Sequence, residues 1–420
     1  LVGLSYGNNR NIVYLSAAVH GGCAEKRLSM KYRMSKTKEL LFLVTLFLSS
    51  IIVMVDSIIS PVISTLYGIF PDSTPLLNFS VSGCYILVAV LNIFIGKLCA
   101  RVDMKLLLCI GAVFGVAGGI GMSLSYQPLH MAVMRALLMV SYAFTTTVGM
   151  TVLTAFYTDD KRRSRALGTY NAFSCAVGAL LSLTAGRLAA GSILAAYRLH
   201  LVVVLYFVML VLFVPSFKPA GNGQVVADTD VKGPRESLGL QFWLAAVNCA
   251  VIYNLAFCFT YYYVSMYISE NGLGSEAMSG IVNAFLTCIG FITPLLYGRL
   301  AARLDRRVSA VSYLFSVIGC VLLLRFPSRA AAFIGYGLLG GTGPLLRTDA
   351  YAVLPSIVPE SRVNDSIAYI GALQNISGCT TGFVMTRCMT AFRIKSFTSF
   401  LIVPTVILAA SFVISLADAA

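Results

Sequence analysis

Four side chains that carry a charge at neutral pH stand inside long apolar runs of this sequence: Asp56, Arg135, Arg347 and Asp349. A charge at the centre of a hydrocarbon layer costs about 3 kcal/mol or more, so such a residue is normally paired or functional. A carboxylate in this setting can take up and release a proton, and a nearby cation changes how readily it does so. An arginine can hold an anionic group through two parallel hydrogen bonds. These four residues are therefore the first candidates for chemistry.

The composition places these charges in a membrane protein. The chain has 420 residues, of which 58% are hydrophobic and only 11% are charged, whereas soluble domains carry about 25% charged residues. The mean hydropathy is +0.84. The net charge of +14 comes from short Lys and Arg clusters between apolar runs, which is typical of cytoplasmic loops. No basic face with interleaved aromatic residues occurs, so nucleic acid is not an expected partner.

Twelve apolar segments must position the charges. Each is about 20 residues long or longer, the length that a helix needs to cross a hydrocarbon core. The longest polar interval, 217–238, is rich in Gly, Asp and Lys, and we interpret it as a flexible cytoplasmic linker. The sequence thus predicts an all-α membrane protein with twelve transmembrane helices in two six-helix bundles, residues 40–216 and 239–417. The predicted segments are 40–67, 79–99, 106–126, 130–156, 166–186, 199–216, 239–268, 277–298, 308–326, 330–355, 365–386 and 396–417.

The Lys and Arg distribution predicts the orientation of the chain. With the N-terminus in the cytoplasm, the inner segments hold about three times as many Lys and Arg as the outer loops. This bias places both termini in the cytoplasm of a multi-pass protein of the cytoplasmic membrane. Residues 1–39 form an N-terminal tail, and its first 29 residues lack the apolar core of a signal peptide. We expect translation to begin at Met30 or Met34.

Two polar loops repeat each other. GKLCARVDMK occupies residues 96–105, and GRLAARLDRR occupies residues 298–307, so the copies lie 202 residues apart. Such internal symmetry is typical of a duplicated transporter. Both copies resemble the loop between helices 2 and 3 of the major facilitator superfamily, G-x-x-x-D-[RK]-x-G-[RK]-[RK]. Here Ala100 and Ala302 replace the usual acid, and an aspartate stands three places later.

This resemblance implies the fold of that family, with two halves that rock about a central site and a conformational switch at each loop. The segment 134–173 is also similar to the fourth helix, loop and fifth helix of the family. We expect the shifted aspartates to take over the salt-bridging role of the loops. The residues that the resemblance assigns to the switch loops are Gly96, Arg101, Asp103, Gly298, Arg303, Asp305 and Arg307.

Asp56 and Arg135 lie at similar depth in the predicted helices. At 1.5 Å per residue their depths differ by about 7 Å, which an arginine side chain can bridge. VDSIISP, residues 55–61, resembles the acidic first-helix motif of drug:proton antiporters in the superfamily. Asp56 then binds the transported proton or a cationic substrate, and Arg135 tunes its charge state; the alternative is a static ion pair. One departure from these antiporters is Ser182-Leu183, where the fifth helix usually carries Gly-Pro.

Further binding candidates lie in the second, seventh and tenth helices. Arg347 and Asp349 follow a glycine-rich stretch, 335–344, that can kink or unwind beside a cavity. Arg347 then binds an anionic substrate group; the alternative is close helix packing with an arginine that reaches the inner interface. The aromatic and amide residues that can line the cavity, or alternatively form an interfacial belt, are Tyr85, Asn254, Tyr263 and Tyr267.

No motif of an enzyme occurs, neither HExxH, Walker A, G-x-S-x-G nor a kinase signature. The eleven cysteines include no CxxC pair and the three histidines are scattered, so we expect no metal and no cofactor. Without a nucleotide-binding segment, transport must use an ion gradient.

We therefore expect a secondary active transporter that works by alternating access, namely a proton-coupled antiporter for the export of drug-like compounds. The alternative is proton-coupled uptake of a small organic anion or metabolite, with Arg347 and Arg135 supplying positive charge. A receptor or scaffold without transport is a third possibility, but it gives no reason for the duplicated loops. Expected partners are a small-molecule substrate, protons or another coupling ion, and the lipid bilayer, and we expect a monomer.

Overall fold

The computed structural model describes residues 36–99, 101–156, 160–216, 238–304, 307–358 and 363–419. These residues form helices joined by short turns and contain no strand. Residues 1–35 of the tail, 217–237 of the linker and Asp305 of the second repeated loop lie outside the described residues. When pieces separated only by bends or single residues are grouped, the helices of the described ranges form twelve segments, which is consistent with the predicted order.

The first six segments form the N-terminal half of the molecule. Their bounds are α1 (Lys36–Leu48, Ser50–Val53, Asp56–Ile59, Ser60–Val62 and Ile63–Ile69), α2 (Pro71–Ser73, Thr74–Asn78, Phe79–Gly83 and Tyr85–Cys99), α3 (Met104–Met122), α4 (Pro128–Phe156), α5 (Asp160–Ala189) and α6 (Ile193–Tyr197, Arg198–Leu201 and Val202–Phe213).

The other six segments form the C-terminal half. Their bounds are α7 (Leu240–Ile252, Tyr253–Cys258 and Phe259–Glu270), α8 (Glu276–Leu304), α9 (Val308–Arg325), α10 (Arg329–Ile357), α11 (Val363–Ala391) and α12 (Phe397–Phe400 and Ile402–Ala419).

Many of these helices have the length and apolar composition of transmembrane helices. Seven helices in the described part of the chain are long and apolar enough to cross a membrane, and nine are if each of two bent pairs counts as one span. Large apolar side chains such as Leu212, Val406 and Val413 are more than half exposed and do not line the cavity. A soluble protein seldom exposes apolar surface on this scale, and lipid tails are its natural neighbours.

Three helices are irregular. α1 bends by 44° between Val53 and Asp56, and Pro61, which has no amide hydrogen to donate, stands in a tight 3-10 turn just beyond. α2 and α7 contain π-helical turns at Phe79–Gly83 and Tyr253–Cys258. π-turns inside α-helices are frequent at functional sites.

The two halves touch most closely at one end of the molecule. We call this end the far face; it holds the turns 190–192 and 271–275. The opposite end, the linker face, holds the repeated loops and both ends of the interval 217–237. At the far face α5 meets α8 through Gly186 and Gly280. A Cβ atom on Gly280 would lie 2.5 Å from the backbone oxygen of Ser182, so only glycine permits this approach.

Polar side chains of α1 also cross to the C-terminal half at the far face. The Ser60 hydroxyl donates to the carbonyl oxygen of Tyr261 at 2.7 Å and accepts a hydrogen bond from Asn283. Closer to the surface, the Thr65 hydroxyl donates to Glu276 at 2.5 Å and the Ser64 amide donates to the Ser265 hydroxyl at 3.2 Å. The far face is therefore closed by a row of hydrogen bonds as well as by glycine packing.

The glycine contact leads to a first prediction. Gly280→Ala forces the Ser182 backbone away and separates α5 from α8, because a backbone atom 2.5 Å distant cannot rotate aside. We expect the variant to lose about 1–3 kcal/mol of stability, visible as a lower unfolding temperature in detergent micelles. Gly149→Ala is the control, since nothing lies within 4 Å of its Cβ position. Equal unfolding temperatures for the two variants would contradict the packing argument.

Candidate functional site

A cavity of about 450 Å³ lies between the two halves. Its wall includes residues of α1, α2, α4 and α5 from one half and of α7, α8, α10 and α11 from the other. It reaches from Asp56, below the closed far face, toward Gly168 and Leu295 on the linker side. Most of the wall is apolar, with a few polar groups, which is the usual character of a small-molecule site.

Tyrosines and amides supply most of the polar surface of the cavity. Tyr85 and Tyr142 make an edge-to-face contact with their ring centres 5.7 Å apart. Two more tyrosines, Tyr261 and Tyr262, are neighbours in α7. The tyrosine, amide and hydroxyl residues on the wall are Tyr85, Tyr142, Tyr170, Asn171, Ser174, Tyr261, Tyr262, Thr287, Gln374 and Asn375.

Asp56 lies at the far-face end of the cavity and is only 7% exposed. It begins a short helical turn directly after the bend in α1. Its Oδ1 atom forms a salt bridge with Nη2 of Arg135. Its Oδ2 atom accepts hydrogen bonds from the hydroxyls of Tyr85 and Tyr262, the latter at 3.1 Å. The carboxylate thus has one cationic and two neutral hydrogen-bond donors.

Arg135 is fully enclosed, with 1% of its surface exposed. Its Nε atom donates to the carbonyl oxygen of Ser80 at 3.0 Å. Ser80 lies in the π-helical turn of α2, where the altered hydrogen-bond pattern leaves carbonyls available to side chains. The Nη1 atom is buried and has no hydrogen-bond partner among the described residues. The sequence-predicted pair is thus in direct contact, while its role in proton binding stays a prediction.

Arg347 also lines the cavity, on the wall that the C-terminal half provides. The hydroxyl of Tyr142 lies within electrostatic range of both Asp56 and Arg347. Asp349 is placed differently, since it is not part of the cavity wall. Its carboxylate accepts hydrogen bonds from Tyr297 of α8, at 2.9 Å, and from Ser309 of α9. These contacts tie α8, α9 and α10 together near the linker face.

Of the predicted aromatic and amide candidates, one lines the cavity and three do not. Tyr85 is part of the wall, but Asn254, Tyr263 and Tyr267 are not. Asn254 donates to the carbonyl oxygen of Ser377. Tyr263 packs in an aromatic cluster and is fully buried, and the Tyr267 hydroxyl donates to a carbonyl of α9 at 2.9 Å. In this conformation, these three side chains connect helices of the C-terminal half.

The repeated loops lie at the linker face and contribute no side chain to the cavity wall. Asp103 caps α3, accepting a hydrogen bond from the Lys105 amide at 2.8 Å and another from the Ser216 hydroxyl. Arg101 is exposed, as are Arg303 and Arg307 in the second copy. Gly96 and Gly298 have open space around them. Asp305 lies outside the described residues, so the role of both loops as switches stays a prediction.

Several residues of the cavity wall were not predicted from the sequence. Tyr142, Tyr170, Gln374 and Asn375 stand singly in apolar helices, and no motif distinguishes them. Tyr261 and Tyr262 belong to a run of three tyrosines, and such a run in an apolar helix indicates a candidate site. The i, i+4 spacing from Phe259 favoured Tyr263, the third member of the run, instead. Among the described residues no group of three or more His, Cys, Asp or Glu side chains is arranged to hold a metal ion.

The buried pair leads to a second prediction. Asp56→Asn leaves the guanidinium of Arg135 enclosed without a counter-ion, which costs about 3–5 kcal/mol of stability. The double variant Asp56→Asn with Arg135→Gln removes the uncompensated charge, so it should unfold at a higher temperature than Asp56→Asn alone. Thermal unfolding of the three proteins in one detergent measures this. A double variant less stable than Asp56→Asn would contradict the pairing.

Comparison with known proteins places this geometry in a family. The structure is similar to two structures of a bacterial homologue of the human lysosomal transporter Spinster, inward-facing and unoccupied in one and inward-facing and occupied in the other, each with a TM-score of 0.72. Sequence identity is 15% and 16%, over 91% and 92% of this chain and 98% of each of those chains. At this identity the likeness shows the fold. No curated protein matches the chain in sequence.

The sequence profile described as Major Facilitator Superfamily matches residues 45–379. This range runs from α1 into α11 and includes both repeated loops, both members of the buried ion pair and Arg347. The protein therefore belongs to the major facilitator superfamily of membrane transporters.

Proposed function

We propose that the protein is a proton-coupled exporter of amphipathic, drug-like compounds, in which Asp56 binds the transported proton. The observation that carries this proposal is the position of Asp56 at the end of a cavity, in a buried pair with Arg135. A carboxylate that needed only to neutralise Arg135 would not have to face the cavity. Because Asp56 faces the cavity, it can exchange a proton with water that enters from the linker face.

The coupling cycle follows from the donors around Asp56. When a proton binds one carboxylate oxygen, the salt bridge to Arg135 weakens, and Arg135 keeps its own charge and its contact with Ser80. When the proton leaves, the pair forms again. The halves rock between the two events, so that the proton enters on one side of the membrane and leaves on the other. An ion gradient thereby supplies the free energy, in keeping with a transporter rather than an enzyme.

The cavity supports an amphipathic substrate. Its volume of about 450 Å³ lies in the range of roughly 300–1,000 Å³ that small-molecule sites occupy. Tyrosine rings provide flat apolar surface with a polar tip, which accepts many shapes without strict hydrogen-bond geometry. A lining of this kind is suited to compounds of varied structure.

We propose export as the direction of transport. The motif around Asp56 is similar to that of drug:proton antiporters, which favours export. With the linker face in the cytoplasm, the closed far face makes this conformer inward-facing, as both similar structures are described. A substrate then enters from the cytoplasm. We propose a monomer in the cytoplasmic membrane with both termini in the cytoplasm, the side that the Lys and Arg clusters favour.

The third prediction tests Asp56 directly. Asp56→Asn keeps a side chain of similar size but cannot carry a proton, so proton-driven efflux of a dye from vesicles should fall to background. Asp72→Asn is the matched control, because Asp72 is an exposed carboxylate in the far-face turn and does not line the cavity. Efflux by Asp56→Asn at the rate of the control would exclude Asp56 as the proton carrier.

A second candidate function is proton-coupled uptake of a small organic anion, and the position of Arg347 on the cavity wall favours it. Arg347 brings a second guanidinium to the site, on the wall of the C-terminal half, in addition to that of Arg135 in the buried pair. A carboxylate or phosphate group could pair with the guanidinium through two hydrogen bonds.

The fourth prediction separates this candidate from export. Under anion uptake, Arg347→Gln should reduce accumulation of a radiolabelled organic anion at least about tenfold, the loss expected from one charge-assisted hydrogen bond. Arg325→Gln, an exposed arginine at the end of α9, should leave accumulation unchanged. Retained uptake in Arg347→Gln would remove the anion hypothesis, while dye efflux can be measured in the same vesicles.

A further inference from the structure

Asp56 is held by both halves of the protein. Of its three donors, Arg135 and Tyr85 belong to the N-terminal half, whereas Tyr262 belongs to α7 of the C-terminal half. Because the two halves separate at the far face during alternating access, the hydrogen bond from Tyr262 must break in that step. The other two donors can stay in place. The hydrogen bond from Tyr262 to Asp56 therefore links the charge of Asp56 to whether the two halves are in contact or separated at the far face.

The bond from Tyr262 continues the row that closes the far face. The adjacent residues Ser57 and Tyr261 share a hydrogen bond of 2.5 Å between their hydroxyls. One turn further along α1, Ser60 bonds to the Tyr261 backbone and to Asn283. Ser57 and Ser60 are fully buried, so water cannot replace these bonds while the face is closed. The Asp56–Tyr262 bond is the end of this row that meets the cavity.

We propose that Tyr262 is the positioning residue that couples the charge of Asp56 to opening of the far face, a step that rests on Asp56 being the proton carrier. An ionised carboxylate accepts a charge-assisted hydrogen bond from Tyr262, and this bond stabilises the closed far face. A protonated Asp56 is a weaker acceptor, since hydrogen bonds to ionised groups are roughly twice as strong as those between neutral groups. Proton binding therefore shifts the molecule toward the conformer with an open far face.

Other titratable groups around Asp56 do not explain such a shift. His200 of α6 is fully buried within the N-terminal half, where its Nδ1 atom contacts the Tyr197 carbonyl at 2.8 Å, so its titration acts inside one half. The remaining groups in electrostatic range are phenols, a thiol and the guanidinium of Arg135, which keep their charge state near neutral pH. They are Cys84 and Tyr85 of α2, Arg135 and Tyr142 of α4, and Tyr261 and Tyr262 of α7.

Glu276 is the one competing group that the described residues offer in the row. Its carboxylate accepts the hydrogen bond from Thr65 across the halves at 2.5 Å, closer to the surface of the far face. Protonation of Glu276 would also loosen the closed conformer. An experiment on pH dependence must therefore distinguish Asp56 from Glu276.

The fifth prediction uses hydrogen–deuterium exchange of the full-length protein in lipid nanodiscs at pH 8 and pH 4, corrected for the intrinsic pH dependence of exchange; the lower value is chosen because an ordinary aspartate has a pKa of about 3.9. In the wild type, exchange in residues 57–69 and 259–270 should be higher at pH 4. Tyr262→Phe should show the higher exchange already at pH 8 and little further change, which corresponds to an opening equilibrium shifted about tenfold.

Two control variants make the experiment specific. Tyr85→Phe removes a donor to the same oxygen of Asp56, but from the same half, so its pH response should match the wild type. Glu276→Gln should also keep the response. The proposal is wrong if the wild type shows no pH response, if Tyr262→Phe behaves as Tyr85→Phe does, or if Glu276→Gln abolishes the response.

The failure of this proposal differs from failure of the proposed function. If Asp56→Asn remains folded in the vesicles and abolishes proton-driven efflux while Tyr262→Phe responds to pH as the wild type does, Asp56 carries the proton and Tyr262 does not couple it. If Asp56→Asn leaves efflux intact, the proposed function itself fails. In a working cycle, Tyr262→Phe should lose most of the acceleration of transport by a pH gradient, because the charge of Asp56 no longer acts on the far face through this hydrogen bond.

Discussion

The buried ion pair between Asp56 and Arg135 is the interaction on which the rest of the structure depends. Two charges removed from water need compensation by their own attraction and by further hydrogen bonds. The surrounding helices provide these bonds through irregular geometry. α1 bends directly before Asp56, and the π-turn of α2 brings the Ser80 carbonyl to Arg135. These breaks would weaken an ordinary helix, and here they surround the one salt bridge among the described residues.

The far face is closed by many contacts between the halves, each of which contributes little stability by itself. Serine and threonine hydroxyls of α1 meet α7 and α8, and the glycines of α5 and α8 allow the backbones to approach. Each neutral hydrogen bond contributes about 1 kcal/mol, so no single bond holds the far face closed. An interface of this kind can open and close within one transport cycle. A large apolar interface would hold the halves in one conformation.

Much of the architecture could be predicted from sequence because hydropathy and loop charges follow directly from the bilayer. The duplicated loops indicated the family, and helical rise alone placed Asp56 and Arg135 at matching depths. The orientation of α7 could not be predicted in this way. Its π-turn at Tyr253–Cys258 contains an extra residue, which rotates every later side chain by about 100° relative to a regular helix. The spacing of Phe259, Tyr263 and Tyr267 showed that they share a face of α7, but it could not show the direction of that face, and Tyr261 and Tyr262 face the cavity instead.

The two halves share a scaffold but divide the chemistry between them. The N-terminal half holds both members of the buried pair, and the C-terminal half supplies Tyr262 and Arg347 to the same cavity. Asp349, the intramembrane acid of the C-terminal half, bonds to Tyr297 and Ser309 within its own half. A charge change at Asp349 would thus alter packing inside one bundle. A charge change at Asp56 alters a contact between bundles, and only a contact of that kind can convert proton binding into movement of the halves.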